Sequence, residues 1–330
     1  MKAIVCREFG PVDQLVCLDL PSRPLASGEV RVRIKAAGMN FPDSLKAEGQ
    51  HQIKPPLPWI PGSETAGVVI EVADNVTQIQ VGDRVMGVSG ADGGGFAQEI
   101  VLPQERVFQL APNMSFESAA AVPVVYGTTL YALKQRGQLK PGEWVLVLGA
   151  AGGVGLATVH LAKAMGARVI AAASTAEKRA LTLQHGADHA VDYTQPDWRL
   201  KVKELTDGKG VDVVYDPVGG DAFDEAVRAI GWGGRYLVIG FTSGRIPTLK
   251  INMPLVKGYD VIGVRYDVWR DGWWSEARAN LEQVLQWCAE GKFQPLVSAS
   301  YPLADAVTAL KSITSRQTSG KVVLTNSWPC

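Results

Sequence analysis

Up to about residue 123, apolar residues come in short segments broken by Gly, Pro and Asp, with little sustained helical period. The pattern predicts strands over Lys2 to Cys6, Val30 to Ala37, Ala66 to Val72, Arg84 to Val88 and Gln98 to Leu102, separated by turn signals such as Val81-Gly82-Asp83. Many short strands imply a compact β domain. Asn113 to Tyr131 then turns helical, with Ser115 as a candidate N-cap, and marks the crossing into a region of different rhythm.

Val145 to Leu148 is wholly apolar, Gly149, Gly152, Gly153 and Gly155 punctuate a turn, and from Leu156 apolar residues recur at helical spacing. Leu156, Val159, Ala162 and Met165 fall on one face, Gly166 offers a C-cap, and Arg168 to Ala173 restarts as a buried strand. This is a βαβ unit. Helices over Glu177 to His185, Asp197 to Thr206 and Phe223 to Ile230 alternate with strands over Ala190 to Asp192, Val211 to Tyr215 and Arg235 to Ile239. With an edge strand over Val261 to Val264, the alternation predicts a parallel sheet with helices on both faces. From about Trp269 the rhythm changes to helices near Ser275 to Glu290 and Leu303 to about Ser315, closed by a strand over Lys321 to Thr325. Trp269, Trp273 and Trp274 read as packing.

Ligands of such sheets bind beyond the carboxyl ends of the strands, which here carry Gly149, Ser174, Asp216 and Gly240. The glycine turn suits a pyrophosphate, because the helix start offers unpaired N–H groups and glycines let a ligand approach the main chain. Its spacing, G-A-A-G-G-V-G, is one residue longer before the central pair than the usual dinucleotide fingerprint. NAD sites commonly place an acid about twenty residues on, at the end of the second strand. Ser174 stands there instead, with Lys178 and Arg179 within a turn of it. A 2′-phosphate needs donors and cations, so NADP(H) is the better fit; the alternative is that both cations belong to a solvated helix face.

The 330 residues suffice for two domains, and 33 basic against 33 acidic residues give no electrostatic pull toward nucleic acid or an anionic membrane. No apolar run is long enough to span a bilayer, and Met1 leads into a candidate strand, so a cytoplasmic protein with a small-molecule partner is expected. Cys6, Cys17, Cys288 and Cys330 lack metal-ligand spacing; Cys6 and Cys17 read as strand residues and Cys330 as an exposed tail thiol.

The motifs GMNFPD (38–43), PGSETAGVV (61–69), VGDRV (81–85), GTTLYAL (127–133), PGEWVLVLGAAGGVG (141–155), GADHAVDY (186–193), GVDVVYDPVGG (210–220) and GKVVL (320–324) span essentially the whole chain. On them the sequence resembles the medium-chain dehydrogenase/reductase superfamily, in its zinc-independent quinone oxidoreductase (zeta-crystallin-like) branch. The resemblance implies an α/β fold: a Rossmann doubly wound NADP-binding domain over 124–265, and a mainly β GroES-like substrate domain over 1–123 plus 266–330. Zinc-dependent members carry Cys and His in the loop matching Gly38 to Asp43 and a G-H-E triplet at Gly62-Ser63-Glu64. Here Asn40, Phe41 and Ser63 hold those places, so no zinc site is expected.

The resemblance further implies that NADPH lies in the inter-domain cleft, with Asn40 and Thr128 near the nicotinamide and Ala151, Gly152, Gly153 and Val154 on the pyrophosphate. It places Ser174, Lys178 and Tyr193 at the 2′-phosphate, and Val218, Gly240, Phe241, Thr242 and Ser243 on the nicotinamide side. Each has a structural reading as well, such as Asn40 capping a turn, Thr128 satisfying a helix carbonyl, and Tyr193 as a strand residue. Related quinone reductases carry Tyr where this chain has Leu45, which leaves Tyr126 as a substitute phenol and Asp43 and Glu64 as structural acids. The expected activity is metal-free reduction of a quinone or related conjugated acceptor, with Asn40, Tyr126 and Thr128 as candidate catalytic residues. An enoyl-thioester or 2-alkenal reductase is the alternative enzyme, and an NADPH-binding redox sensor or structural protein the alternative outside catalysis. A homodimer through the edge strand over Val261 to Val264 is expected.

Overall fold

In the computed structural model, residues 1–315 and 318–326 are described; Cys330 lies outside them. The early strands pair antiparallel where the alternation places them. β1 (Lys2–Val5) pairs with β2 (Val16–Asp19), which holds Cys17, read as a strand residue. β3 (Glu29–Met39) runs 11 residues and carries α1 (Phe41–Ala47) at its end. β4 (Glu64–Val72), β5 (Arg84–Val88), β6 (Glu99–Pro103) and β7 (Val107–Gln109) follow. The helical stretch over Asn113 to Tyr131 is interrupted. Ser115 accepts a bond from Ser118 N (3.1 Å) and caps α2 (Phe116–Ala120), but Pro123 cannot continue a helix, and α3 (Val125–Leu130) starts afresh before a π-helical turn over Tyr131–Arg136.

The central region alternates as its pattern predicts, through β8 (Trp144–Leu148), α4 (Gly153–Ala164), β9 (Arg168–Ala172), α5 (Ala176–Gln184) and β10 (His189–Val191). It continues through α6 (Trp198–Leu205), β11 (Val211–Asp216), α7 (Gly220–Ala229) and β12 (Ile230–Val238). Short helices α8 (Asn252–Lys257) and α9 (Tyr266–Gly272) flank β13 (Asp260–Gly263). All neighbours in the sheet β10-β9-β8-β11-β12-β13 are parallel. Val145 to Leu148 are fully buried, as a strand covered on both faces requires, and Leu156, Val159 and Ala162 bury the inner face of α4. The chain leaves β8 for β9 on one side and returns to β11 on the other, so the strand order reverses beside β8.

The last segment supplies α10 (Trp274–Ala289), β14 (Val297–Pro302), α11 (Ala306–Thr314) and β15 (Lys321–Thr325). Among the described residues the second sheet has the order β14-β15-β3-β4-β5-β7, antiparallel except for the parallel pair β14 and β15. Along one edge of β3, β6 pairs Glu29 to Arg33 and β15 pairs Ala36 to Met39, while β4 takes the other edge. The contacts divide into one unit of Met1–Val124 with the chain from Trp274 onward, and a second of Val125–Trp273. Residues 266–273, set with the β body by sequence, cluster instead with the second unit, where Trp269 stacks on Tyr131 at 4.2 Å between ring centroids. The tryptophans divide accordingly: Trp269 is buried, Trp274 packs edge-on to Phe108, and Trp273 is exposed rather than packed.

Candidate functional site

In the second unit, the turn between β8 and α4 is shaped by two glycines with different tasks. Gly149 has φ +59°, and a Cβ there would stand 2.9 Å from Val218 Cγ2, so the turn and Val218 are in contact. A Cβ on Gly155 would stand 2.3 Å from Gly149 O and 2.7 Å from Ala150 Cα, so only glycine lets α4 start this close to the strand. Gly152 is the N-cap, Gly153 opens the helix, and both are half-buried with no side chain to cover the first N–H groups.

Beside this turn lie the ends of β9 and β10. Ser174 follows β9 at half exposure, Thr175 caps α5 by accepting from Lys178 N (3.2 Å), and Lys178 itself is half-buried in the first turn. Tyr193 follows β10 and packs partly against the core of this unit. On the other side of β8, Asp216 ends β11 and is buried. Its Oδ1 accepts from Val218 N (2.7 Å) and Gly219 N (2.8 Å), and its Oδ2 from Tyr236 Oη (2.8 Å). Burial raises its pKa, and its bonds hold the next turn. Gly240, Phe241, Thr242 and Ser243 fold back on that turn through Thr242 N and Oγ1 to Pro217 O (both 3.0 Å) and Ser243 N to Val218 O (2.9 Å). A row of turns along the carboxyl ends of one sheet thus carries the residues from Ala151 to Ser243 singled out in sequence.

Thr128 and Tyr126 share α3 but differ in surroundings. Thr128 is half-buried. Tyr126 is 2% exposed, and its Oη lies 2.8 Å from His160 Nδ1, while His160 Nε2 lies 2.9 Å from His185 Nδ1. Every member of this chain can be neutral, with Tyr126 donating to His160 and His160 to His185. Burial first, and His185 second, push the His160 pKa down to about 3. Behind it, Thr129 Oγ1 and Tyr215 Oη are 3.0 Å apart and fully buried.

Asn40 belongs to the first unit, where it ends β3 and caps α1. Its backbone N–H donates to Asp43 Oδ2 (2.8 Å). Its side-chain Nδ2 donates to Glu64 Oε1 (2.7 Å), and its Oδ1 accepts from Lys321 Nζ (2.8 Å). Lys321 Nζ also donates to Glu64 Oε1 (2.6 Å) and Met39 O (2.7 Å), and Glu64 Oε2 accepts from Val124 N (2.7 Å). Glu64 and Lys321 are 0% and 4% exposed. Gly38 makes room, since a Cβ there would meet Glu64 Oε1 and Ala120 O, each at 2.3 Å. Asp43 is buried as well, and desolvation holds its pKa up at about 6. Lys321 was not singled out in sequence; the available signal is a lysine heading the apolar run Val322 to Leu324 of the strand KVVLT.

Two family models match the chain: an alcohol dehydrogenase GroES-like domain over residues 26–112 and a zinc-binding dehydrogenase over 153–290. A quinone oxidoreductase-like protein 2 homolog from Nematostella vectensis is 40% identical over 98% of this chain and 88% of its own length. Among solved structures, an NAD-dependent alcohol dehydrogenase superposes with TM-score 0.91 at 32% identity, covering 98% of this chain and 99% of that one. Escherichia coli quinone oxidoreductase complexed with NADPH superposes with TM-score 0.87 at 30% identity, covering 98% and 100%.

Proposed function

The chain belongs to the medium-chain dehydrogenase/reductase superfamily, among its quinone oxidoreductase-like proteins, and from that premise we propose that it uses NADPH to reduce quinones or related conjugated acceptors without a metal. The observation that carries this reading is the glycine turn at β8, where Gly155 admits no Cβ and the N-cap Gly152 makes no side-chain bond to the first N–H groups of α4. Ala151, Gly152, Gly153 and Val154 would hold the pyrophosphate, and Ser174, Lys178 and Tyr193 the 2′-phosphate. Val218 and Gly240 to Ser243 would flank the nicotinamide. Bound NADPH supplies a hydride to an acceptor whose resulting anion is delocalised onto oxygen.

Asn40 is assigned the acceptor oxygen. Lys321 and Glu64 fix both ends of its amide, and these bonds leave one Nδ2 hydrogen to donate as negative charge builds on that oxygen. Lys321 behind the amide polarises it and strengthens the donor. Thr128, half-buried on α3, is assigned to the nicotinamide. Tyr126 serves the fold instead, because its hydroxyl is engaged by His160 and its ring is buried.

Zinc, which one family model names, does not suit the donors here. Among the described residues no group of three or more His, Cys, Asp or Glu could hold a metal ion. Both Glu64 oxygens are already engaged by Lys321, Asn40 and Val124. Titration of NADPH by fluorescence, followed by stopped-flow oxidation with naphthoquinones, enones and crotonyl-CoA, tests the reading. Tight NADPH binding with fast quinone turnover is expected. Turnover with crotonyl-CoA alone would make it an enoyl-thioester reductase, and binding with no turnover would make it a non-catalytic NADPH protein.

We also propose a homodimer through β13. This strand ends the parallel sheet, and beside its exposed Val261 the same unit exposes Trp232, Ile246, Ile251, Leu255 and Val256, each above 65%. Light scattering at micromolar concentration is expected to give twice the chain mass, and Val261→Lys with Leu255→Lys the monomer mass. A monomer before substitution would end the proposal.

A further inference from the structure

We propose that Arg179 sets the preference for a 2′-phosphorylated cofactor by neutralising Asp192, a carboxylate that would otherwise stand where the phosphate binds. The inference rests on the NADPH reading and identifies what makes that end of the site tolerate phosphate. Ser174 fills the place where an acid would select a ribose hydroxyl. The neighbouring strand nevertheless delivers an acid: β9 and β10 are parallel with Ala172 opposite Val191, and Asp192 follows directly on Val191. Ala173 N donates to Val191 O (3.1 Å), so the segments leading to Ser174 and Tyr193 are tied together with Asp192 between them.

Asp192 cannot remove its own charge. Its Oδ1 accepts from Thr194 Oγ1 (2.6 Å) and Thr194 N (3.0 Å), and these bonds hold its pKa below the usual value, so the group stays ionised at neutral pH. Arg179 supplies the counter-charge. One guanidinium nitrogen, Nη1, lies 2.9 Å from Asp192 Oδ2 and 3.3 Å from Ala173 O. The same group therefore cancels the acid and braces the residue before Ser174. Both partners are partly exposed, at 25% and 22%, so the pair itself adds little to stability. Its electrostatic consequence is larger, because a phosphate dianion interacts with every nearby charge that is not cancelled. Elsewhere in the first turn of α5, Glu177 is hydrogen-bonded to Thr175, and Lys178 adds a half-buried cation.

NADPH and NADH dissociation constants for the wild type, R179Q, D192N and R179Q/D192N decide the matter, with NADH reporting whether each variant keeps an intact site. R179Q is expected to lower the ratio of NADPH to NADH affinity roughly 10- to 100-fold with NADH binding little changed, and the double variant to restore it within about threefold. Equal losses of both cofactors in R179Q would mean that Arg179 only braces the turn. A double variant that stays NADPH-weak would mean that Arg179 touches the phosphate itself; either result overturns the proposal. Should R179Q not fold, R179K and D192N replace it: both are expected to hold or raise the ratio, and a fall in either overturns it. A wild type with no NADPH preference fails the underlying reading before any variant is made.

Discussion

Two buried polar clusters, one in each unit, face the same problem and solve it with opposite chemistry. Around Asn40 the first unit buries full charges, with Lys321 and Glu64 nearly inaccessible and 2.6 Å apart. Behind the glycine turn the second unit buries Tyr126, His160, Thr129 and Tyr215, all of which can be satisfied while neutral. A buried pair of charges holds its neighbours strongly but depends on both partners, whereas a neutral chain costs less to bury and polarises its neighbours less. The difference follows the work assigned to each: an amide that must be both fixed and made a stronger donor sits beside the charges, and helix-to-helix packing uses the neutral chain.

Removing one charge is the most severe way to break the comparison. Lys321→Met leaves the buried Glu64 carboxyl without its cation, and a loss of about 3–5 kcal/mol in unfolding free energy is expected from urea denaturation. Combining it with Glu64→Gln removes the stranded charge, so the double variant is expected to regain more than half of the loss while its NADPH-dependent turnover stays low, since Asn40 has lost Lys321. Full stability in Lys321→Met would mean that the pair is not buried as described.

The neutral cluster breaks with acid instead. The His160 pKa is depressed to about 3 in the fold against about 6.5 unfolded, so the unfolded chain takes a proton that the folded chain refuses. Stability is therefore intact above about pH 6.5 and is lost as pH falls toward 3, by at most about 5 kcal/mol from this ring. His185, also depressed by burial, adds in the same direction. His160→Asn is expected to cost stability at pH 8 through lost packing, yet to flatten the decline of Tm between pH 6.5 and 4.5. An unchanged slope would mean that other groups govern acid unfolding.

The glycine turn and the central alternation were legible because their determinants are local. Four apolar residues, a glycine with positive φ and a helical period lie within one stretch, and so does Arg168–Ala172. The cluster around Asn40 was not legible, since Lys321 and Glu64 are 257 positions apart and only the pairing of β15 with β3 brings Lys321 to them. Even α1, whose seven residues include a proline in the first turn, is too short to set a helical period; the structural alternative for Asn40 was a turn cap, and the element it caps is a helix. Arg179 was visible as a cation after the second strand, but its partner arrives from the next strand along. Trp273 was read as packing and is exposed at the C-cap of α9.

The charged cluster contains one group whose pH response should run against that of His160, and the opposition sharpens the comparison. Asp43 is buried in α1, and desolvation, only partly offset by Lys46, raises its pKa from 3.8 to about 6. The unfolded chain releases this proton near 3.8 while the fold retains it, so stability from this group is present below about pH 4 and falls as pH rises through 6. The cost at neutral pH is at most about 3 kcal/mol, reduced by the favourable place of an anion in a first helical turn. Asp43→Asn keeps an oxygen to accept the Asn40 N–H but never ionises. Its stability relative to the parent chain is expected to rise by about 1–2 kcal/mol between pH 4 and pH 7, with the Lys321 pair left in place. Urea unfolding at those pH values checks it: a difference that shrinks with rising pH would show that Asp43 is ionised at little cost, and that the first unit solvates its charges better than its burial implies.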